Sequence, residues 1–455
     1  MDGSAVGSGK KWLTFSDRFG YLCVGLSYVF CMIIPAFLIY YATEQLALAI
    51  GAVSAMMALV KIFDGITDVV AGIIIDNTHT KHGKSKPWIL RACIPYAVCM
   101  ILLFSVPKGM SQTGKMFMLA LFYALTVSVF GTLIGVARYA LVPAMTDDPK
   151  ERGQLGVLGD GIGAFACGLG MAATLVIVAK IGWTATFVIY GIIAAVAGIL
   201  CFVCTHDRTE GINGALERER NSAPRVRDIL EAIFKNKYAL LLFIIVFLQQ
   251  FGAGALTSGG TYYFTYVVGD VTWYSKMMGI STALSLVAMF LCTFLIAKMG
   301  AKRMFVLGGI GVVICFLVVT VSQSTNIKLL MVALPLAMMF GQSFLTAAFA
   351  SFASSAVDYG AMKNGVRLEG VTSSVLNIGI KIGTALATAV VGAIMAAGGF
   401  KEGGVAQTAS AIHSISVAYI VLPLVAYAAV TIIVLFAFRI DSDMKKLQDA
   451  KEKTA

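Results

Sequence analysis

Charge is what this sequence has least of. Only 13% of its 455 residues are Asp, Glu, Lys or Arg, against roughly a quarter in an ordinary soluble protein. Histidine is scarcer still, and the four present form no ligand set. His79 and His82 share one basic loop, His206 ends an apolar run, and His413 stands alone. The phosphate-cradling GxxxxGK[ST], the zinc-binding HExxH and the nucleophile-bearing GxSxG are all missing. Their absence removes support for ATP hydrolysis and for the familiar hydrolase chemistries. The opening MDGSAVGSGKKW has neither the short apolar core nor the small-residue cleavage site of a signal peptide, so the first apolar run is expected to be a span rather than a leader. The nine cysteines sit in or at the edges of apolar runs, where Cys behaves as a small hydrophobe. Cys201 and Cys204 make a CxxC with no second pair nearby, which points to packing rather than to zinc or redox chemistry.

What is present is apolar. The chain is 58% hydrophobic, with 46 Gly and 21 Met, a composition suited to tightly packed membrane helices. A membrane span takes about 20 mostly apolar residues. Twelve runs meet that need, at 19–41, 46–75, 88–107, 116–143, 154–179, 184–204, 238–268, 273–297, 304–322, 328–356, 371–398 and 412–438. The longer ones imply tilt or extension past the bilayer. The sequence therefore predicts an all-α integral membrane protein of twelve transmembrane helices.

The net charge of +11 does not point to nucleic acid, because the basic residues cluster in short loops. Counted over alternate loops and the two ends, 25 Lys and Arg fall on one side of the membrane and six on the other, with four inside spans. By the positive-inside rule both termini are cytoplasmic, in a cell (inner or plasma) membrane. The longest hydrophilic stretch, 205–237, separates a six-span half at 1–204 from another at 238–438, with a cytoplasmic tail at 439–455. Its RDILEAIF piece has the pattern of a short amphipathic helix lying on the membrane. GIIIDNTHTKHGKSKPW after the second run is echoed by LIAKMGAKRMF after the eighth, the corresponding place in the second half. Two six-helix halves around a midplane site is the plan of the major facilitator transporters.

The ionisable residues inside the spans carry the chemistry. KIFDGITDVV places Lys61, Asp64 and Asp68 in the second run. An unpaired charge at the bilayer centre costs about 2.5–3.5 kcal/mol on insertion scales. At about 100° per residue, Asp64 and Asp68 lie roughly 40° apart around the helix and Lys61 within about 60° of Asp64, so all three share one stripe. Leu59, Phe63, Ile66 and Val70 take the other side. A Lys–Asp pair locking helices together accounts for Lys61 and one carboxylate. The second carboxylate, one turn away, then wants a proton or a cation. Thr67 adds a hard hydroxyl oxygen. Lys381, with Asn377 one turn earlier, lies deep in a Gly/Ala-rich run, functional or paired with the acidic site. Asp160 is either a solute ligand or a residue of the cytoplasmic mouth, and Arg138 either reaches a central cavity or snorkels to the surface. Gln249 and Gln250 before GAGALTSGG suggest a broken, polar seventh helix of the kind that lines transporter sites.

FDGITDVVAG followed by HGKSKPW, TYYFTYVVGD in the seventh run and VDYGAMKNGVRLEG before the eleventh resemble the glycoside–pentoside–hexuronide:cation symporters. The likeness spreads over nearly the whole chain. It implies a major facilitator fold and sugar uptake driven by Na+ or H+. Residue by residue, it places the family's two cation-site aspartates on Asp64 and Asp68, its fourth-span threonine on Thr132 and its eleventh-span lysine on Lys381, with Thr67 where a cation-site asparagine stands. The family's sugar-site residues are replaced: the first-span aspartate by Tyr28, the fourth-span aspartate by Gly135 and its neighbouring tryptophan by Tyr139, the fifth-span arginine by Asp160 and the tenth-span tryptophan by Thr346. The resemblance thus implies a rebuilt solute site for a glycoside, pentoside or hexuronide.

The expectation is a transporter, not an enzyme: a secondary active symporter coupling Na+ or H+ entry to uptake of a sugar or sugar-derived small solute, with Asp64, Asp68, Thr67 and Thr132 at the cation, Lys61 and Lys381 in coupling, and Tyr28, Tyr139, Arg138, Asp160, Gln250, Thr346 and Asn377 at the solute. It needs no cofactor beyond the co-transported ion. Lipid surrounds a monomer, and nucleic acid is no partner. The alternatives are a non-transporting solute receptor of the same fold and a symporter for a non-sugar solute.

Overall fold

The computed structural model describes residues 13–146, 148–206, 237–322, 327–364, 369–440, 443–446 and 449. The RDILEAIF piece expected to form an amphipathic helix lies outside them. The described residues fold into twelve helices: α1 (Phe15–Glu44), α2 (Ile50–Asp76), α3 (Lys86–Leu103), α4 (Gln112–Met145), α5 (149–181), α6 (183–204), α7 (Lys237–Val267), α8 (Thr272–Met299), α9 (Ala301–Ser322), α10 (327–364), α11 (Glu369–Ala397) and α12 (Ala409–Phe436). Nine helical stretches among the described residues are long and apolar enough to cross a membrane, with α5 and α6 taken as one rod and α2 and α10 outside the tally. The chain is a multi-pass membrane protein.

Local chemistry sets where the helices begin and break. Thr14 caps α1, its hydroxyl accepting from the Asp17 amide while the Asp17 side chain accepts from the Thr14 amide, so two otherwise orphaned donors are satisfied. Gly182, at φ +82°, separates α5 from α6 where a side chain would be strained. Several span boundaries move from their expected places, three of them as follows. The run from 46 becomes helical only at Ile50, after a link in which Ala47 has φ +54°. The run ending at 107 stops as helix at Leu103. The run ending at 356 continues to Asn364.

The seventh helix is also not broken. α7 runs unbroken through GAGALTSGG, because its glycines are used for close packing rather than for a turn. Gly252 lies against the ring of Tyr427, Gly254 against Ala387 and Thr384, and Gly260 against Tyr274. Wider π-type turns occur at Ala124–Gly131 of α4 and Phe340–Phe344 of α10, the equivalent helices of the two halves, and at the end of α7 and within α12. Such turns often mark functional sites.

Between the halves, α2 packs on α11 and α5 on α8. Ser16 at the start of α1 donates to the carbonyl of Cys204 at the end of α6. In the second half, Lys237 and Tyr238 at the start of α7 both donate to Asp443 after α12, and these bonds hold its carboxyl below the usual carboxylate range. The start of α1 therefore lies beside the end of α6, and the start of α7 beside the end of α12.

The opposite face is sealed. There Thr43 and Tyr262 share a hydrogen bond of 2.6 Å, and Thr265 donates to the Tyr40 hydroxyl. The Tyr266 hydroxyl donates to Glu44 at 2.6 Å, the Ile50 amide to Glu402 at 3.0 Å, and the Gly403 amide to the carbonyl of Thr43. Every one of these bonds joins a residue of α1 or the start of α2 to the second half.

Candidate cation and solute sites

The stripe read from KIFDGITDVV faces inward. Asp64 is buried, Lys61 and Asp68 are half-buried, and Leu59, Phe63, Ile66 and Val70 are exposed on the outer side. The partner of the acidic pair is Lys381, reaching from α11 in the other half. Its ammonium lies 3.1 Å from one Asp64 carboxylate oxygen, donates to the Asp64 carbonyl at 3.0 Å, and forms an ion pair with Asp68. Thr132 donates to the other Asp64 oxygen at 2.8 Å. The π-type turn just before Thr132 puts this residue there, and its hydroxyl also lies 3.3 Å from the Val127 carbonyl five residues back. Four predicted residues, Asp64, Asp68, Thr132 and Lys381, thus form one cluster. Thr67 stands beside it, but its hydroxyl donates to the Asp64 backbone carbonyl at 3.1 Å.

A cavity of about 470 Å³ lies between the halves next to this cluster. From the first half, Tyr28, Lys61, Arg138, Tyr139 and Asp160 line it; from the second, Gln250, Thr257, Ser258, Thr384 and Thr388. Arg138 therefore reaches the cavity rather than the surface. Only 4% exposed, it donates through Nη2 to Asp160 Oδ1 at 2.6 Å and lies over the rings of Tyr21 and Tyr139. The Asp160 side chain and the Tyr139 ring are more than half exposed, so a carboxylate oxygen and an aromatic face remain open to a solute. Tyr28 occupies the room above Gly135: a Cβ at 135 would sit 2.8 Å from its ring. The two replacements noted in the sequence are thus one steric unit.

Two expected solute residues lie outside the cavity lining. Thr346 accepts from Gln249 Nε2 at 3.0 Å, an amide that also reaches the Gly341 carbonyl. Asn377 is exposed one turn before Lys381. Sequence reasoning passed over the hydroxyls of the second half. Thr384 and Thr388 follow Lys381 at helical spacing, and Ser258 shares a 3.0 Å hydrogen bond with Thr388. That spacing was the available signal.

Two six-helix halves that enclose a cavity lined by Lys61, Arg138 and Asp160, with an ion-pair cluster beside it, have the plan of a major facilitator transporter. The chain belongs to the MFS/sugar transport protein family, whose model matches residues 20–442. It is 26% identical to the isoprimeverose transporter of Lactiplantibacillus pentosus, over 98% of this chain and 93% of that one. It is 24% identical to the glucuronide carrier protein homolog of Escherichia coli (strain K12), over 85% and 84%. Among solved structures, a D-xylose-proton symporter superposes with a TM-score of 0.68 at 11% identity, covering 92% of this chain and 97% of that one, which concerns the fold alone. The chain is a transporter and not an enzyme.

Proposed function

We propose that the protein is a secondary active symporter that couples entry of Na+ or H+ to uptake of a sugar or sugar-derived solute by alternating access. It does so in a cell membrane with both termini cytoplasmic, an orientation supported by the basic loops. The observation that carries this reading is Lys381: a lysine of one half sits in the acidic pair of the other, beside a cavity that both halves line. A cation arriving at Asp64 and Asp68 competes with that ammonium and alters the tie between the halves. Asp160, held by Arg138, accepts hydroxyls of the solute, and Tyr139 offers a face for its ring. Tyr28 and Gln250 contribute from opposite walls. The relatives named for isoprimeverose and glucuronide support a sugar-like solute.

Purified protein in liposomes tests this. Labelled sugars are expected to accumulate above equilibrium only under an inward sodium or proton gradient. Binding without gradient-driven accumulation would indicate a receptor instead.

Thr132→Val tests the cation site separately. The substitution keeps shape but leaves a buried carboxylate oxygen of Asp64 without its donor. In the cation-free site this bond favours the ionised Asp64 by about 1.5–3 kcal/mol, so its loss should lower the half-saturating cation concentration tenfold or more. Unchanged cation dependence of uptake would make Thr132 a packing residue only.

A further inference from the structure

The connection from α11 to α12, residues 398–408 (GGFKEGGVAQT), takes its shape from its own half. α11 ends in a Schellman closure: the Phe400 amide donates to the Met395 carbonyl at 3.1 Å and the Gly399 amide to the Ala396 carbonyl at 3.0 Å, with Gly399 at φ +77°. Gln407 ties the remainder into a ring. Its Oε1 accepts from the Lys401 amide at 2.9 Å, and its Nε2 donates to the carbonyls of Lys401 at 2.6 Å and Val405 at 3.0 Å. Thr408 then caps α12 by accepting from the Ala411 amide. Phe400 is buried edge-on against Tyr262 and Tyr266, which fixes the loop to α7.

Two polar groups of this loop cross to the other half. The Glu402 carboxylate accepts from the Ile50 amide at 3.0 Å, and the Gly403 amide donates to the Thr43 carbonyl at 2.9 Å. Both partners are helix-end groups of the kind a helix leaves unsatisfied. Ile50 opens α2, where Ala49 at the cap has no side-chain oxygen to offer, and Thr43 lies in the last turn of α1. The link between them is held by the first half. Lys115, only 8% exposed, donates to the Leu46 carbonyl at 3.1 Å, and the Leu48 amide donates to the Ala42 carbonyl. Each side is therefore shaped in advance, so little order is lost when the two meet.

We propose that this loop is a latch: a pre-shaped element of the second half that caps the ends of α1 and α2, so that Glu402 and Gly403 set how often the cavity opens on the sealed face. The charge of Glu402 matters because an anion is favoured at a helix N-terminus. The latch does not depend on which solute or ion is carried; its effect on uptake rests on the alternating-access reading above.

Hydrogen exchange is measured on the full chain in nanodiscs, with no solute and no gradient. Losing a hydrogen bond to a charged group shifts an equilibrium by about tenfold or more. Glu402→Ala should speed exchange of the Gly403 amide, whose own partner is untouched, by that factor, and 262–267 with it, while α3 and α9 stay as in the wild type. Glu402→Gln should fall between, since it keeps an acceptor and loses the charge. Gln407→Ala, which loosens the loop without removing either contact across the halves, should move the Gly403 amide in the same direction. Lys401→Ala, at an exposed side chain, should change nothing. An unmoved Gly403 amide in Glu402→Ala, an equal effect of Lys401→Ala, or faster exchange throughout the chain would overturn the latch. In liposomes, Glu402→Ala should lower both the half-saturating solute concentration on the sealed side and the maximal uptake, because the open form gains population at the expense of the sealed one. Loss of maximal uptake alone would count against the latch. A wild type without gradient-driven uptake, showing the expected exchange pattern across the variants, sinks the symporter reading and leaves the latch standing.

Discussion

Asp68→Asn is expected to abolish cation-driven accumulation while solute exchange across the membrane survives. The argument is one of charge. Asp64, Asp68 and Lys381 together carry one excess negative charge, the right amount to call for one monovalent cation. With Asn at 68, Lys381 and Asp64 form a neutral pair, 3.1 Å apart at the carboxylate, and nothing remains for the ion to neutralise. The tie between α2 and α11 persists through Asp64 and its carbonyl, so the halves can still close around solute. Removing the excess charge removes the cation's role but not the movement. The check compares counterflow with gradient-driven uptake in the same liposomes. Accumulation at the wild-type level in Asp68→Asn would remove Asp68 from the coupling site, and loss of counterflow as well would show that the variant cannot cycle.

The polar stripe on α2 was legible because helical periodicity converts sequence spacing directly into a face. The identity of its partner was not. Lys61, on the same stripe, offered a local Lys–Asp pair, yet the ion pairs come from Lys381, more than 300 residues away, because the halves pack α2 against α11. Arg138 shows the same limit. Snorkelling and facing the cavity were equally compatible with its position in GVARYALVP, and only the placement of Asp160 on α5 decides between them. Tyr28 and Gly135 each looked like a lost aspartate, whereas in space the ring of one fills the room left by the other. The seal on the far face left no mark in the sequence at all. Thr43 and Tyr262, or Glu44 and Tyr266, are ordinary residues until two helices more than 200 positions apart are brought together. The polar hydroxyls of α11 could have been found, since Thr384 and Thr388 share the stripe of Lys381.

That seal can be wedged open. Gly392 of α11 faces Ser54 of α2 so closely that a Cβ would lie 2.0 Å from the serine oxygen, and Gly168 of α5 faces Thr282 of α8 at 2.1 Å. Both contacts join the halves, and Gly392 and Ser54 lie toward the sealed ends of their helices. Gly392→Ala would put its Cβ 2.3 Å from the Ser54 Cβ as well, so turning the hydroxyl does not relieve it and α2 and α11 must part. Gly392→Leu drives them further apart. Overpacking of this kind costs about 1–3 kcal/mol, and here the cost falls on the closed arrangement, because parting the halves relieves it. The ratio of sealed to open forms should therefore fall by roughly one to two decades, and uptake should fall with it. The variant should remain folded, since each half keeps its own packing. Hydrogen exchange separates this outcome from simple destabilisation: amides of 39–50 and 262–267, at the seal, should exchange faster in Gly392→Leu, while those of α3 and α9, which lie within the separate halves, should not. Pairing Gly392→Ala with Ser54→Gly should return uptake to the wild-type level, since the space lost on one helix is restored on the other. Wild-type uptake in Gly392→Leu, or faster exchange throughout the chain, would show that this contact does not control access to the cavity.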